Sequence, residues 1–98
     1  MVNMYFYIQF LYVEVRQEME KYLKDFADRL RMLREEKGLS LRELAEDTGI
    51  SKTALGYYEN CERDPSLSVV RIIAEYFDES IDFLVGDTSI RNIKKIAK

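Results

Sequence analysis

The stretch Leu39–Glu59, LSLRELAEDTGISKTALGYYE, decides how this chain folds. Ser40-Leu41-Arg42-Glu43 reads as a capping box, in which the serine hydroxyl and the glutamate carboxylate each satisfy an orphan backbone N–H at a helix start. Leu44 and Ala45 face inward on the helix that follows, and Ala45 is small enough for another helix to cross closely. Gly49 ends this helix and supplies a sharp turn. Ser51 caps the next helix, which runs from Lys52 to about Asn60. Ile50 sits beneath the turn, and Leu55 and Tyr58 bury the inner face. Ser51, Lys52, Thr53, Gly56, Tyr57 and Asn60 are left on or near the exposed side. A helix presented this way can enter the major groove of DNA with its N-terminal residues at base edges.

Outward from this block the chain reads as more short helices, giving an all-α, five-helix expectation. The first runs from about Met19 to Lys37, with Leu23, Phe26, Ala27, Leu30 and Leu33 as its apolar stripe and Gly38 at its C′ position. Cys61-Glu62-Arg63-Asp64-Pro65 is a loop. Ser66 caps a fourth helix, in which Leu67, Val70, Ile73, Ala74 and Phe77 share a face widened by Val69, Ile72 and Tyr76. Ser80 caps a fifth, with Ile81, Leu84 and Val85 inward and Gly86 at its end. The basic tail 88–98 carries Arg91, Lys94, Lys95 and Lys98 as a solvated face, with Ile90, Ile93 and Ile96 or Ala97 on the other side; alone it is too short for a stable helix.

Residues 1–15, MVNMYFYIQFLYVEV, differ in character. Alternating Val2, Met4, Phe6, Ile8, Phe10 and Tyr12 favour a strand over about residues 3–14. A lone strand needs a partner, and the same segment of a second copy is the natural one; deleting residues 1–18 should then yield monomers. A competing pattern of three and four spacing from Ile8 through Leu33 suits one long helix. A third reading takes Met19 as the functional start. Residues 1–18 are thus expected to be an apolar extension to a domain at 19–87. The extension lacks a basic leader region, a cleavage site and the roughly 20 apolar residues of a membrane span, so the expectation is a soluble, cytoplasmic protein.

Composition narrows the chemistry. With 98 residues, no His and one Cys, the chain offers no His-based catalytic apparatus, no internal disulfide and no ordinary transition-metal site. No cofactor and no enzymatic activity are expected. The carboxylate pairs Glu35-Glu36 and Asp78-Glu79 read as solvated helix ends, and Cys61 as an inert exposed thiol. The net charge of -3 argues against a generally basic surface. It lies wholly in residues 39–66, where Arg42, Lys52 and Arg63 face Glu43, Glu46, Asp47, Glu59, Glu62 and Asp64.

The stretch from about Phe26 to Gly86 resembles the Cro/phage-repressor (Xre) helix-turn-helix family. The matching pieces are RLRMLREEKGLS (29–40), ELAEDTGIS (43–51), YEN (58–60), DPSL (64–67) and SIDFLVG (80–86), in the family's order and spacing. The resemblance implies a lambda-repressor-like DNA-binding domain and a transcriptional regulator, with repression as the expected effect. It implies binding to double-stranded DNA as a homodimer on a pseudo-palindromic operator. Lys52, Thr53 and Tyr57 fall where the family reads base edges. Ser51, Asn60, Arg63, Ser66 and Ser68 fall at or near phosphate-contact positions. Arg34 and Glu59 fall where the family often joins its first and third helices by an ion pair. The chain departs from the family at Leu41, commonly Gln, and at Cys61, commonly Gly; a left-handed backbone at Cys61 would be strained. These departures and the acidic block support a second expectation, a protein-interaction module of the same fold, antitoxin-like or anti-repressor, that meets a protein partner through its N-terminal segment.

Overall fold

A computed structural model describes residues 3–92. Five helices follow one another: α1 (Met4–Glu36), α2 (Leu41–Thr48), α3 (Lys52–Glu59), α4 (Leu67–Phe77) and α5 (Ile81–Leu84). Ser40, Ser51, Ser66 and Ser80 N-cap α2 to α5, each hydroxyl accepting from a backbone N–H one turn on. At Ser40 the reciprocal bond closes the capping box, the Ser40 N–H donating to Glu43 Oε1 at 3.1 Å. Gly49 caps α2 at φ 78°, a left-handed backbone that costs glycine nothing.

The core gathers Phe26, Leu30 and Leu33 of α1, Leu44 of α2, Leu55 and Tyr58 of α3, Ile73 and Phe77 of α4, and Phe83 and Leu84 of α5. Phe26 and Tyr58 meet edge to face at 6.2 Å between ring centroids, holding α1 to α3. Three residues expected inside are outside: Leu67 at the start of α4, Ile72 further along it, and Ile81 on α5 are exposed. α5 has a single turn, so only its Phe83 and Leu84 reach the core. The Arg29 guanidinium fixes that turn, donating from Nη1 to the Phe83 carbonyl at 3.0 Å and lying over the Phe83 ring at 4.1 Å.

The strand expected over residues 3–14 is a helix. Asn3 caps it by accepting from the Tyr5 N–H at 2.9 Å, and α1 runs without a break through Met19, where the first helix was expected to begin. No strand stands among the described residues to pair with that segment. A lone strand would leave its backbone donors and acceptors to water, whereas a helix satisfies them internally. The helical spacing also extends further than the alternation. Met4, Ile8 and Leu11 are repeated eleven residues on as Val15, Met19 and Tyr22, and again as Phe26, Leu30 and Leu33. A period of eleven residues in three turns keeps one face on a nearly straight helix. The last third of this stripe is core; residues 3–20 project from the domain with every side chain exposed.

The end of the described chain is also fastened rather than solvated. Glu79, expected at a solvated helix end, is buried, and its carboxylate accepts from Arg91 Nε at 2.8 Å and from the Asn92 N–H at 3.2 Å. Arg91 also reaches both carboxylate oxygens of Glu36 at 3.0 and 3.1 Å, tying the tail to the end of α1. The tail residues Ile93, Lys94, Lys95, Ile96, Ala97 and Lys98 lie outside the described residues, as does Val2.

Candidate nucleic-acid interface

The helical period sets the two faces of α3. Ala54, Leu55, Tyr58 and Glu59 are buried, and Lys52, Thr53, Tyr57 and Asn60 lie exposed on the other side with Gly56 between them. Three features hold this helix in place. At its start, Ser51 Oγ accepts from the Ala54 N–H at 3.1 Å. Beneath it, Leu55 and Tyr58 lie in the core. At its end, Glu59 is gripped by α1: Arg34 donates from Nε to Oε2 at 2.7 Å and from Nη2 to Oε1 at 2.9 Å. The same guanidinium donates from Nη1 to the Leu39 carbonyl at 2.8 Å, joining the α1–α2 turn to the end of α3. The hydrogen bond to Glu59 raises the Arg34 pKa above its ordinary value.

A further cation at this joint escaped the sequence reading. Arg31, one turn before Arg34 on α1, donates from Nε to Glu59 Oε1 and from Nη2 to Asn60 Oδ1, both at 3.3 Å. Its spacing of three residues from Arg34, which puts both on one helix face, was the available signal. Glu59 thus meets two guanidiniums, and the acidity counted for residues 39–66 is partly cancelled by α1. Asp47 is also engaged, accepting from the Tyr76 hydroxyl at 2.6 Å, and Glu43 serves the capping box. Glu46, Glu62 and Asp64 remain exposed.

The residues expected at phosphates lie along the loop and the start of α4. The Arg63 guanidinium sits over the Tyr57 ring at 4.9 Å, so a base-reading candidate and a phosphate candidate are in contact. Ser66 Oγ accepts from the Val69 N–H at 3.2 Å, and Ser68 is exposed in the first turn of α4. The capping hydroxyls of Ser51 and Ser66 act as acceptors, so each keeps an O–H to donate to a phosphate oxygen.

Both departures from the family pattern have a structural outcome. Leu41 is partly buried and packs on the core, so an apolar contact stands where an amide would face outward. Cys61 does adopt the left-handed backbone, at φ 59°. It ends α3 in a Schellman arrangement, the Cys61 N–H donating to the Tyr58 carbonyl at 3.2 Å and the Glu62 N–H to the Tyr57 carbonyl at 2.8 Å.

The sequence profile of a helix-turn-helix family, HTH_3, matches residues 30–84. The chain is 38% identical over 63 residues to the uncharacterized HTH-type transcriptional regulator YobD of Bacillus subtilis, covering 64% of this chain and 56% of that protein. It is 41% identical over 59 residues to the HTH-type transcriptional regulator AnsR of the same organism, covering 60% and 51%. It therefore spans about half the length of these curated relatives. A crystal structure of an HTH_3 family transcriptional regulator from Vibrio cholerae superposes with a TM-score of 0.63 and 30% identity over 70% of this chain and 39% of that one.

Proposed function

Since this chain belongs to the HTH_3 helix-turn-helix family, whose members are DNA-binding transcriptional regulators and not enzymes, we propose that it regulates transcription by sequence-specific binding to double-stranded DNA. The expected effect is repression. Two copies would place their α3 helices in successive major grooves of a pseudo-palindromic operator, about 34–36 Å apart. The observation that carries this reading is the pairing of an exposed polar face on α3 with three-point anchoring of the same helix by Ser51, the core and Arg34. Lys52 would donate to guanine O6 and N7. Thr53 and Tyr57 would touch a thymine methyl or a phosphate. Ser51, Asn60, Arg63, Ser66 and Ser68 would hold the backbone.

The test is a labelled fragment carrying an inverted repeat from the DNA adjoining the gene. Lys52→Ala and Tyr57→Ala should each weaken binding by about 1–3 kcal/mol and relax sequence preference. Unchanged affinity and preference in both would overturn the reading.

The exposed Glu46, Glu62 and Asp64 favour a second reading, a protein-interaction module that has lost DNA binding. Retention on heparin or non-specific DNA at low salt separates the two, because the interaction module predicts none.

A further inference from the structure

The outer half of α1 is an uncovered apolar surface. Among the described residues, eleven large apolar or aromatic side chains between Met4 and Met19 are exposed. At the ~150–250 Å² that a large aromatic side chain can bury, they bare on the order of 1,000 Å² around the whole helix, of which Phe6, Phe10 and Val13 lie on the side away from the stripe. A typical monomer tolerates a patch of roughly 300–600 Å², and a stable interface needs roughly 800 Å² per partner.

The sequence says which face is the seam. Residues 4–13 are apolar nearly all round, but from Glu14 to Lys21 only Val15 and Met19 remain apolar. These two continue the stripe Met4, Ile8, Leu11 outward from Tyr22 and the core. At its inner end the stripe runs into a concavity of about 260 Å³ between α1, α4 and α5, lined in part by Tyr22, Pro65, Leu67, Ile81 and Val85. Leu67 and Ile81, two of the residues expected inside and found outside, both stand there.

We propose that the occupant of this stripe is the same stripe of a second copy, running antiparallel about a two-fold axis level with Val13, between Leu11 and Val15. Three observations fix the occupant and its direction. The stripe is nearly self-complementary about that point: Met4 falls opposite Tyr22, Leu11 opposite Val15, and Ile8 one residue out of register with Met19. A two-fold interface requires this kind of self-matching. The parallel alternative is sterically closed, because each copy's α3–α5 lie on the stripe side of residues 26–33, where the partner's helix would have to lie. In the antiparallel pair the domains sit at opposite ends, and each N-terminal turn reaches the partner's concavity beside Leu67 and Ile81. An anionic membrane surface is the poorer occupant, since residues 4–20 carry Glu14, Glu18 and Glu20 against Arg16 alone. This pairing concerns how two copies associate, and only its use on DNA rests on the regulator reading: with Glu59 held at Arg31 and Arg34, the two α3 ends would stand about 54–63 Å apart along the rods, wider than one turn of DNA.

The test needs no DNA, so its outcome is separate from that of the regulator reading. Sedimentation equilibrium of the full chain should show a dimer at micromolar concentration. Leu11→Glu with Val15→Glu should raise the dimer dissociation constant at least about 100-fold. The single-chain fold should survive, because both side chains are exposed in it. Phe10→Glu, on the far side of α1, should leave the dimer intact. For direction, Ile8→Cys and Met19→Cys proteins, each also carrying Cys61→Gly, are mixed and oxidised: a disulfide should join Ile8→Cys to Met19→Cys, and Ile8→Cys should not join itself. A monomeric parent, a dimer indifferent to Leu11→Glu with Val15→Glu, or self-linking of Ile8→Cys would each overturn the proposal. So would parent chains that stay monomeric and bind anionic vesicles.

Discussion

Arg34 on α1 and Glu59 at the end of α3 are joined side by side, guanidinium edge to carboxylate edge, at 2.7 and 2.9 Å. The Glu59 side chain is 3% exposed and that of Arg34 16%. A buried carboxylate costs free energy unless it is paired, so removing one partner is worse than never having had the pair. Arg34→Ala and Glu59→Ala should each destabilise the fold by about 3–5 kcal/mol in urea unfolding. Arg31→Ala, on the more exposed guanidinium, should cost less than about 1 kcal/mol. Equal losses for Arg31 and Arg34 would refute this division of roles.

Cys61 holds a left-handed backbone with a side chain that disfavours it. Cys61→Gly should stabilise the protein by about 1 kcal/mol, a rise of roughly 4–8 °C in Tm for a domain of this size. A lowered Tm would show that the thiol contributes more than its backbone strain costs.

Gly56 lies in the middle of α3, and a Cβ built there meets nothing within 4 Å. Gly56→Ala should therefore add about 1 kcal/mol of stability in the free protein. If the glycine serves close approach of the backbone to DNA, the same variant should bind its operator more weakly. Greater stability with unaltered binding would remove that role.

The Tyr76 hydroxyl donates to Asp47, tying α4 to α2, and this bond holds the phenol pKa above its ordinary value of 10.0. The folded-state value then exceeds the unfolded one. The bond's contribution is complete below about pH 10 and is lost as pH rises through the folded pKa. Tyr76→Phe should cost about 0.5–1 kcal/mol at neutral pH and flatten the alkaline fall in stability. Parallel pH profiles for parent and variant would count against the bond.

Arg63 rests on Tyr57 beside the exposed face of α3. If it neutralises a phosphate, Arg63→Ala should lower the slope of log affinity against log salt by about 0.9. Lys52→Ala, removing a base contact, should instead alter preference among operator variants. An unchanged slope for Arg63→Ala would place that side chain off the DNA backbone.

The helices around the tight turn were legible because each boundary has a local cause: four serine caps and a glycine at the α2–α3 turn. Leu55, Tyr58 and the rest of the inner face followed from period alone. The strand over residues 3–14 was misread because alternation and helical spacing coexist there; ten residues cannot separate them, while the eleven-residue repeat running into Phe26, Leu30 and Leu33 can. Glu79 was misread because its partner, Arg91, is twelve residues away, beyond α5, a distance no local rule spans. Arg31 was missed although its three-residue spacing from Arg34 puts both on the α1 face that meets Glu59 of α3.

α1 carries neither glycine nor proline between Met4 and Glu36. A helix of that make-up has no built-in hinge, and at 1.5 Å per residue it is a rod about 50 Å long. Whatever seizes its outer end would therefore set both the distance and the rotational phase of the helical head at its inner end. One inserted residue would shift the head by about 1.5 Å and turn it by about 100°.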